Sequence, residues 1–272
     1  MKKEKLILGA ITGDIIGSVF EWNNVKTTDF DLFCDKSFFT DDTVMTVATM
    51  DTILNKKNYA ETYKEYGKKY PGRGYGGQFS TWLKSNYLLP YHSFGNGSAM
   101  RVSPVGWMYK PEIKADISTL DEAKKSSEVT HNHKEGIKGA QAVAYAIYMS
   151  RAGRSKEQIK KFIGSKNDYG FHYDLDKKLD DIRPVYTFNE TCQGSVPEAI
   201  IAFLESNNFE DAIRLAISIG GDSDTIACIT GSIAEAYYIK IPNYIVENVL
   251  ERLPQEFINV IEQFSKQYST KE

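Results

Sequence analysis

Two short acidic motifs are the part of the sequence best suited to chemistry. One is Phe-Thr-Asp-Asp-Thr at Phe39–Thr43, and the other is Gly-Gly-Asp-Ser-Asp-Thr at Gly220–Thr225. Each places two carboxylates beside threonine hydroxyls at the predicted start of a helix. Because Asp, Ser and Thr are preferred N-caps, and because acidic first turns favour the helix dipole, helix capping explains either motif taken alone.

Taken together, the two motifs indicate a binding site for a hard cation. Four carboxylates and several hydroxyls exceed what two helix caps need. Oxygen-only ligands without a nearby His or Cys favour magnesium over zinc, and this set is large enough for two ions. The twelve-residue spacing of a calcium EF-hand is absent. Because four carboxylates could hold two metal ions, a two-metal phosphoesterase remains an alternative. The spacing alone leaves open whether the two motifs meet in space.

The elements that must position these motifs are predicted to be helices. Strand signals are scarce, and about a dozen segments with helical periodicity and short connections imply an all-α domain spanning residues 1–272. Gly9, Gly13 and Gly17 recur at a spacing of four, so they share one helix face, and the spacing predicts that a neighbouring helix or a ligand approaches the backbone closely there. The helices nearest the motifs are predicted at Met1–Trp22, Thr40–Leu54, Tyr59–Lys69, Ser98–Tyr109, Val196–Glu205 and Ser223–Tyr238.

Composition bounds the classes of function that remain. The chain has 272 residues, 42% hydrophobic and 25% charged, with a net charge of −3. No dense basic tract supports binding to nucleic-acid phosphates, and no apolar run is long enough to span a membrane. Three cysteines without a close pair favour a reducing compartment. We therefore expect a cytoplasmic protein.

Five motifs in order resemble the ADP-ribosylglycohydrolase family, which includes the dinitrogenase-reductase-activating glycohydrolase and the human ADP-ribosyl-acceptor hydrolases. The resemblance runs from Gly9 to about Pro242. It implies a single orthogonal multi-helix bundle of the ADP-ribosylglycohydrolase type with a binuclear metal cleft. The matching motifs are Gly9–Glu21 (Gly-x-x-x-Gly-Asp-x-x-Gly ending in Glu), Thr40–Thr43, Gly95–Arg101, Thr130–His131 and Gly221–Thr225.

The resemblance also assigns roles to individual residues. Two Mg²⁺ ions, with Mn²⁺ as the alternative, would be held by Thr40, Asp41, Asp42, Asp222, Asp224 and Thr225. The loop Gly74–Gln78 lacks the Asp that helps catalysis in some relatives, so the candidate catalytic residues are Glu21, Asp41 and Asp42. Phe94 would stack on adenine, and the substrate-binding set would be Gly76, Gly77, Ser93, Phe94, Gly95, Asn96, Gly97, Ser98 and His131.

The implied activity is hydrolysis of the glycosidic bond between ADP-ribose and an acceptor, with release of ADP-ribose. The acceptor could be a protein side chain, a nucleobase or a small molecule, so nucleic acid would be a partner only as an ADP-ribosylated substrate. The irregular stretch Asp168–Gln193 and the loop Leu83–His92 are expected to shape that choice. The alternative is a non-catalytic or dual-function immunity protein on the same fold that blocks an ADP-ribosyltransferase. Retention of all six implied metal ligands favours the enzyme.

Overall fold

The computed structural model describes residues 5–111, 115–166 and 170–269, which form helices without a β-strand among them. This confirms the predicted all-α class. No helix in these ranges is long and apolar enough to cross a membrane. The helices are α1 (Gly9–Gly17), α2 (Asp41–Asn55), α3 (Tyr59–Lys69), α4 (Gly77–Lys84), α5 (Gly97–Met100), α6 (Ser103–Met108), α7 (Ala115–Glu128), α8 (Lys134–Arg151), α9 (Lys156–Gly164), α10 (Leu179–Ile182), α11 (Cys192–Glu205), α12 (Phe209–Ser218), α13 (Ser223–Tyr238), α14 (Asn243–Leu250) and α15 (Gln255–Tyr268).

Helix α13 lies at the centre of the bundle and packs against α1, α8, α11 and α12. It is buried from Ser223 to Ala236. Its contact with α1 is close because α1 presents glycines there: a Cβ atom on Gly13 would lie 2.0 Å from the carbonyl oxygen of Ala227. The predicted close contact of the glycine face is thereby confirmed, with α13 as its partner.

The helices that carry the candidate site largely begin where the sequence predicts. Helix α2 starts after Thr40, whose hydroxyl accepts from the backbone N–H of Asp42, as expected for an N-cap. Helix α3 has the predicted bounds. Helix α13 begins at Ser223, directly after Asp222. Both acidic motifs therefore lie at helix N-termini as predicted, although Asp222 makes no side-chain capping hydrogen bond at α13.

Other predicted bounds were wrong for identifiable reasons. The helix predicted at Met1–Trp22 spans only Gly9–Gly17, because Glu235 of α13 accepts the backbone N–H groups of Leu8 and Gly9 and so starts the helix there. Residues 1–4 of that prediction lie outside the described residues. The predicted helix Ser98–Tyr109 is two short helices, α5 and α6, and α11 begins earlier than Val196. Helix α4 was missed because it opens on a glycine-rich loop.

Candidate active site

The two acidic motifs meet in one cleft. Although 183 residues separate them, Thr225 Oγ1 donates a hydrogen bond to Asp42 Oδ2 at 3.2 Å. The cleft has a volume of about 500 Å³. Its wall carries the carboxylates of Glu21, Asp41, Asp42, Asp222 and Asp224. The fold thus supplies the convergence that spacing alone could not establish.

A further buried carboxylate, Asp14 of α1, holds the start of α2 in place. Its oxygens accept from Thr40 N at 2.9 Å, Thr40 Oγ1 at 2.7 Å and Thr43 N at 3.0 Å. The Thr40 hydroxyl, a predicted metal ligand, therefore donates to Asp14; it lies 3.5 Å from Asp42 Oδ2 and is absent from the cleft wall. Asp14 lies within the Gly9–Glu21 motif, but its position in an apolar helix gave no signal of this role.

The start of α13 is fixed by a glycine turn and two asparagines. Gly220 and Gly221 have φ values of 74° and 72°, and a Cβ on Gly221 would lie 2.5 Å from the Tyr186 ring, so this turn needs glycine. Asn24 Oδ1 accepts from Gly221 N at 2.7 Å. Asn96 Nδ2 donates to Asp222 Oδ2 at 2.6 Å. Asp222 is consequently held between the Glu21 turn and the loop that precedes α5.

The cleft concentrates negative charge that the described protein does not balance. None of the five wall carboxylates takes part in an ion pair among the described residues. Burial, followed by repulsion from neighbouring carboxylates, raises the pKa of Asp41, Asp42 and Asp224 well above the usual range. Asp42 Oδ1 is buried without a hydrogen-bond partner.

Glu21 belongs to the same cluster although it comes from a different segment. Burial and the charges of Asp222 and Asp14 raise the pKa of the half-buried Glu21 to about 7. One ligand oxygen each from Glu21, Asp222 and Asp224 lies within 4.8 Å of the other two. Asp41 and Asp42 line the same cleft but are not part of this tightest group.

These donors fit a hard divalent cation. The donors are all oxygens and are largely buried. Asp42 Oδ1 has no hydrogen-bond partner, so a cation could coordinate it without displacing a protein contact. A bound divalent ion would supply the missing positive charge and restore ordinary ionisation of the carboxylates.

The predicted substrate loop forms another part of the cleft wall. The cleft wall includes most of the residues predicted to bind substrate, namely Ser93, Phe94, Gly95, Asn96 and Gly97, together with Gly76 and Gly77 at the start of α4. Ser98 does not, because its hydroxyl donates to the Gly136 carbonyl at 2.8 Å inside the protein. The half-exposed ring of Phe94 lies beside His133, with ring centroids 5.3 Å apart.

His131 faces the glycines of that loop. A Cβ on Gly97 would lie 3.1 Å from His131 Nε2, so any larger residue would crowd the imidazole. Burial and the Arg101 charge hold the pKa of His131 well below its usual range, which keeps the ring neutral.

The hydrogen bonds around His131 also indicate its tautomer. Arg101 Nη2 donates to Thr130 Oγ1 at 2.7 Å, and Thr130 Oγ1 lies 2.7 Å from His131 Nδ1. Because the hydroxyl accepts from Arg101, its own proton can go to Nδ1, which leaves the N–H of the neutral ring on Nε2. His131 therefore presents a hydrogen-bond donor toward the cleft.

Several residues of the cleft wall were not assigned a role from the sequence. Phe188 and Glu190 lie in the stretch Asp168–Gln193, which was predicted to shape the choice of acceptor; Asp168 itself lies outside the described residues. The stretch is fastened to the substrate loop, since Asn96 N donates to the Glu190 carbonyl at 2.8 Å and Cys192 N to the Phe94 carbonyl at 2.9 Å. No local pattern signals such contacts.

Comparison with known proteins finds a matching family, related sequences and a solved structure of the same fold. The chain matches the sequence model of the family described as ADP-ribosylglycohydrolase over residues 4–272. It is 27% identical to the ADP-ribosylhydrolase ARH3 of Gallus gallus, over 85% of this chain and 84% of that protein, and 27% identical to the ARH3 of Homo sapiens with the same coverage. A solved structure titled "ADP-ribosylglycohydrolase-related protein complex" has the same fold, with a TM-score of 0.73 at 20% identity, over 96% of this chain and 95% of that one.

Proposed function

The chain belongs to the ADP-ribosylglycohydrolase family, and from this premise we propose that it is a magnesium-dependent hydrolase that cleaves the glycosidic bond between ADP-ribose and an acceptor. The observation that carries the proposal is the convergence of Glu21, Asp41, Asp42, Asp222 and Asp224 in one cleft with a glycine-rich loop. Neither feature alone would distinguish this activity from metal storage or phosphate binding. Their combination fits a substrate with both a diphosphate and a reactive ribose carbon.

The carboxylates would hold the cation pair at one end of the cleft. The junction of α2 and α13 brings together the residues that would bind the ions. Thr225 donates to Asp42 there, the cleft wall includes Asp41, Asp222 and Asp224, and the Thr40 hydroxyl lies 3.5 Å from Asp42 Oδ2 outside the wall. Bound magnesium would supply the positive charge that polarises the oxygens it contacts. We retain two ions, with manganese as the alternative, because the number of oxygen donors suffices for two.

The substrate loop would hold the ADP-ribose moiety. The backbone of Gly95 and Gly97 can approach phosphate oxygens closely because no side chain intervenes, and the Nε2–H of neutral His131 offers a donor there. Phe94, half exposed beside His133, offers a ring face for adenine. Gly76 and Gly77, where an added Cβ would meet nothing within 4 Å, leave room for the distal ribose.

Cleavage requires one carboxylate to orient and deprotonate the attacking water while others stabilise the oxocarbenium-like transition state. Glu21, Asp41 and Asp42 are the candidates. Glu21 and Asp41 are only half buried, so both can exchange protons with solvent, whereas Asp42 is enclosed. This difference favours Glu21 or Asp41 for proton transfer and Asp42 for binding the cation.

The test is release of ADP-ribose from ADP-ribosylated substrates in the presence of magnesium, followed by chromatography and mass spectrometry. We expect intact ADP-ribose, with loss of turnover after EDTA treatment and in Asp222→Asn. Asp51→Asn is the matched control, because Asp51 is a buried aspartate of α2 that lies outside the cleft wall. Release of AMP would indicate the phosphoesterase alternative instead, and no turnover on any linkage would refute the proposal.

A further inference from the structure

One exposed asparagine links the two segments that carry Glu21 and Asp222. Asn24 Nδ2 donates to the Glu21 carbonyl at 2.8 Å and to the Gly221 carbonyl at 3.0 Å. Asn24 Oδ1 accepts from Gly221 N at 2.7 Å. A side-chain amide that pairs with both the N–H and the C=O of one residue fixes the distance between two segments, as a pair of strand hydrogen bonds does.

The chain that follows Asn24 is attached to the other side of the same glycine turn. Lys26 Nζ donates to the Ile219 carbonyl at 2.5 Å and to the Tyr186 carbonyl at 2.8 Å. A Cβ on Gly220 would lie 2.9 Å from Lys26 Nζ, so the absence of a side chain there leaves room for the lysine. Asn24 and Lys26 thus hold the two neighbours of Gly220, and the chain remains attached when the Asn24 contact is removed.

The groups that this link brings together repel one another. One ligand oxygen each from Glu21, Asp222 and Asp224 lies within 4.8 Å of the other two. None of these carboxylates takes part in an ion pair among the described residues. Burial, and next the charge of Asp222, raise the pKa of Glu21 to about 7. In the absence of a cation, like charges at this separation favour moving the two segments apart.

The two sides of the cluster are held in different ways. Asp222 directly precedes helix α13, and Asn96 Nδ2 donates to Asp222 Oδ2 at 2.6 Å. Glu21 lies beyond the end of helix α1, which stops at Gly17, and its side chain is half-buried. The position of Glu21 therefore depends on side-chain contacts made by its own segment rather than on a continuous helix.

Resting on the proposed function, we propose that Asn24 is a positioning residue of the cation site, which holds Glu21 close to Asp222 before the ion binds. When the carboxylates are already held together, binding of the ion does not have to draw repelling groups into place, so the affinity for the ion is higher. Asn24 lies outside the cleft wall and acts through the segment that carries Glu21.

The experiment measures magnesium binding by calorimetry, without substrate, on protein from which metal has been removed. Asn24→Ala should bind magnesium about 5- to 30-fold more weakly than the wild type, equivalent to about 1–2 kcal/mol, because hydrogen bonds that join the two segments are lost. We expect this variant to fold, because the Lys26 contacts remain.

Asn23→Ala is the matched control. Asn23 is the preceding residue, is also exposed and lies outside the cleft wall. Its amide donates at 3.4 Å to the Val19 carbonyl, within its own segment, so it does not join that segment to the glycine turn. Asn23→Ala should therefore bind magnesium with wild-type affinity.

Exchange of the Gly221 amide proton reports on the contact itself. Asn24 Oδ1 accepts this proton, so exchange measured by NMR without magnesium should be slow in the wild type and faster in Asn24→Ala. The Asn96 amide, which donates to the Glu190 carbonyl at 2.8 Å, should exchange at the same rate in both proteins. Faster exchange at both amides would give Asn24 a general structural role and overturn the proposal.

Turnover of an ADP-ribosylated substrate gives a third readout. Asn24→Ala should need about 5- to 30-fold more magnesium for half-maximal rate, in proportion to its weaker binding, and should reach the wild-type kcat at saturating magnesium with an unchanged KM. A lower kcat that persists at saturating magnesium would show that Asn24 affects something other than cation affinity, and the assignment would fail.

Failure of this inference can be told apart from failure of the proposed function. Equal magnesium affinity in Asn24→Ala and the wild type would overturn the inference and leave the hydrolase intact. Absence of turnover on every linkage would refute the hydrolase, while the comparison of magnesium affinities would still decide the role of Asn24. A wild-type protein that binds no magnesium up to about 10 mM would refute both the magnesium dependence and the positioning role.

Discussion

Replacing Asp42 by asparagine tests whether the cleft binds a cation, and it separates that effect from the contribution of Asp42 to folding stability. Asp42 Oδ2 accepts from Thr225 Oγ1, and an amide oxygen can replace it. Asp42 Oδ1 is buried without a partner, and burial and the charges of neighbouring carboxylates raise the pKa of Asp42, so a neutral amide would relieve that repulsion. In the absence of metal we therefore expect Asp42→Asn to be more stable than the wild type, by on the order of 1–3 kcal/mol.

Magnesium should offset that difference by stabilising the wild type. A ligand at 100 times its dissociation constant adds about 2.7 kcal/mol to the free energy of unfolding. With an unfolding entropy of about 2.1 cal/mol/K per residue, a chain of 272 residues gains about 5 °C in Tm from one such site. The wild-type Tm should rise by about this amount when magnesium is added after EDTA treatment, whereas Asp42→Asn should respond weakly.

Differential scanning calorimetry with a magnesium titration measures both effects in one series. Asp51→Asn is the control: Asp51 lies on the same helix and is buried, but Lys57 Nζ pairs with it at 2.8 Å. That variant should lose stability and keep the full magnesium response. An unchanged magnesium shift in Asp42→Asn, or a wild-type Tm that ignores magnesium up to about 10 mM, would refute the reasoning that Asp42 helps to bind a cation.

Three further predictions test other parts of the structure. Gly13→Ala should lower the free energy of unfolding by at least about 1–3 kcal/mol in urea titrations, because its Cβ would lie 2.0 Å from the Ala227 carbonyl oxygen; Gly76→Ala, with nothing within 4 Å, is the control. Burial raises the pKa of Glu235 to about 7 from 4.5 against the opposing charge of Lys5, so the folded state keeps a proton that the unfolded chain releases. The free energy of unfolding should therefore fall by about 3 kcal/mol between pH 4.5 and 7. Urea titrations at pH 5 and 8 measure this fall, and Glu235→Gln should remove it. Gly77→Ala should leave Tm unchanged or raise it while weakening ADP-ribose binding in calorimetry, since its Cβ meets no protein atom at the cleft wall.

A local signal in the sequence was sufficient for the start of α2, whereas the start of α13 has no side-chain cap and is held by Asn24 and Asn96 from distant segments. Thr40 caps α2 as its residue type predicts, because a threonine oxygen before an acidic first turn satisfies a free backbone N–H. The glycine spacing in α1 likewise predicted a close contact. The spacing could not identify α13 as the partner, because it shows which helix face lacks side chains but not which helix packs against that face.

Contacts between distant segments were beyond the sequence alone. The hydrogen bond from Thr225 to Asp42 depends on how α2 and α13 cross, which neither motif encodes. The resemblance to a family supplied that expectation. Phe188 and Glu190 gave no signal because they lie in an irregular stretch, where neither helical nor strand periodicity indicates which side chains face a cleft.

The positions of the two acidic motifs both depend on helix α1. Gly13 and Gly17 let α1 approach α13 closely, and a Cβ on Gly17 would lie 2.4 Å from the Cα atom of Asp224, so these glycines set the depth at which α13 begins. Asp14, on the same helix, accepts three hydrogen bonds from the start of α2, so it sets the position of Asp41 and Asp42. One buried helix thereby positions both acidic helix starts. The buried carboxylate of Asp14, costly on its own, is thus explained by the arrangement of acidic residues that it maintains.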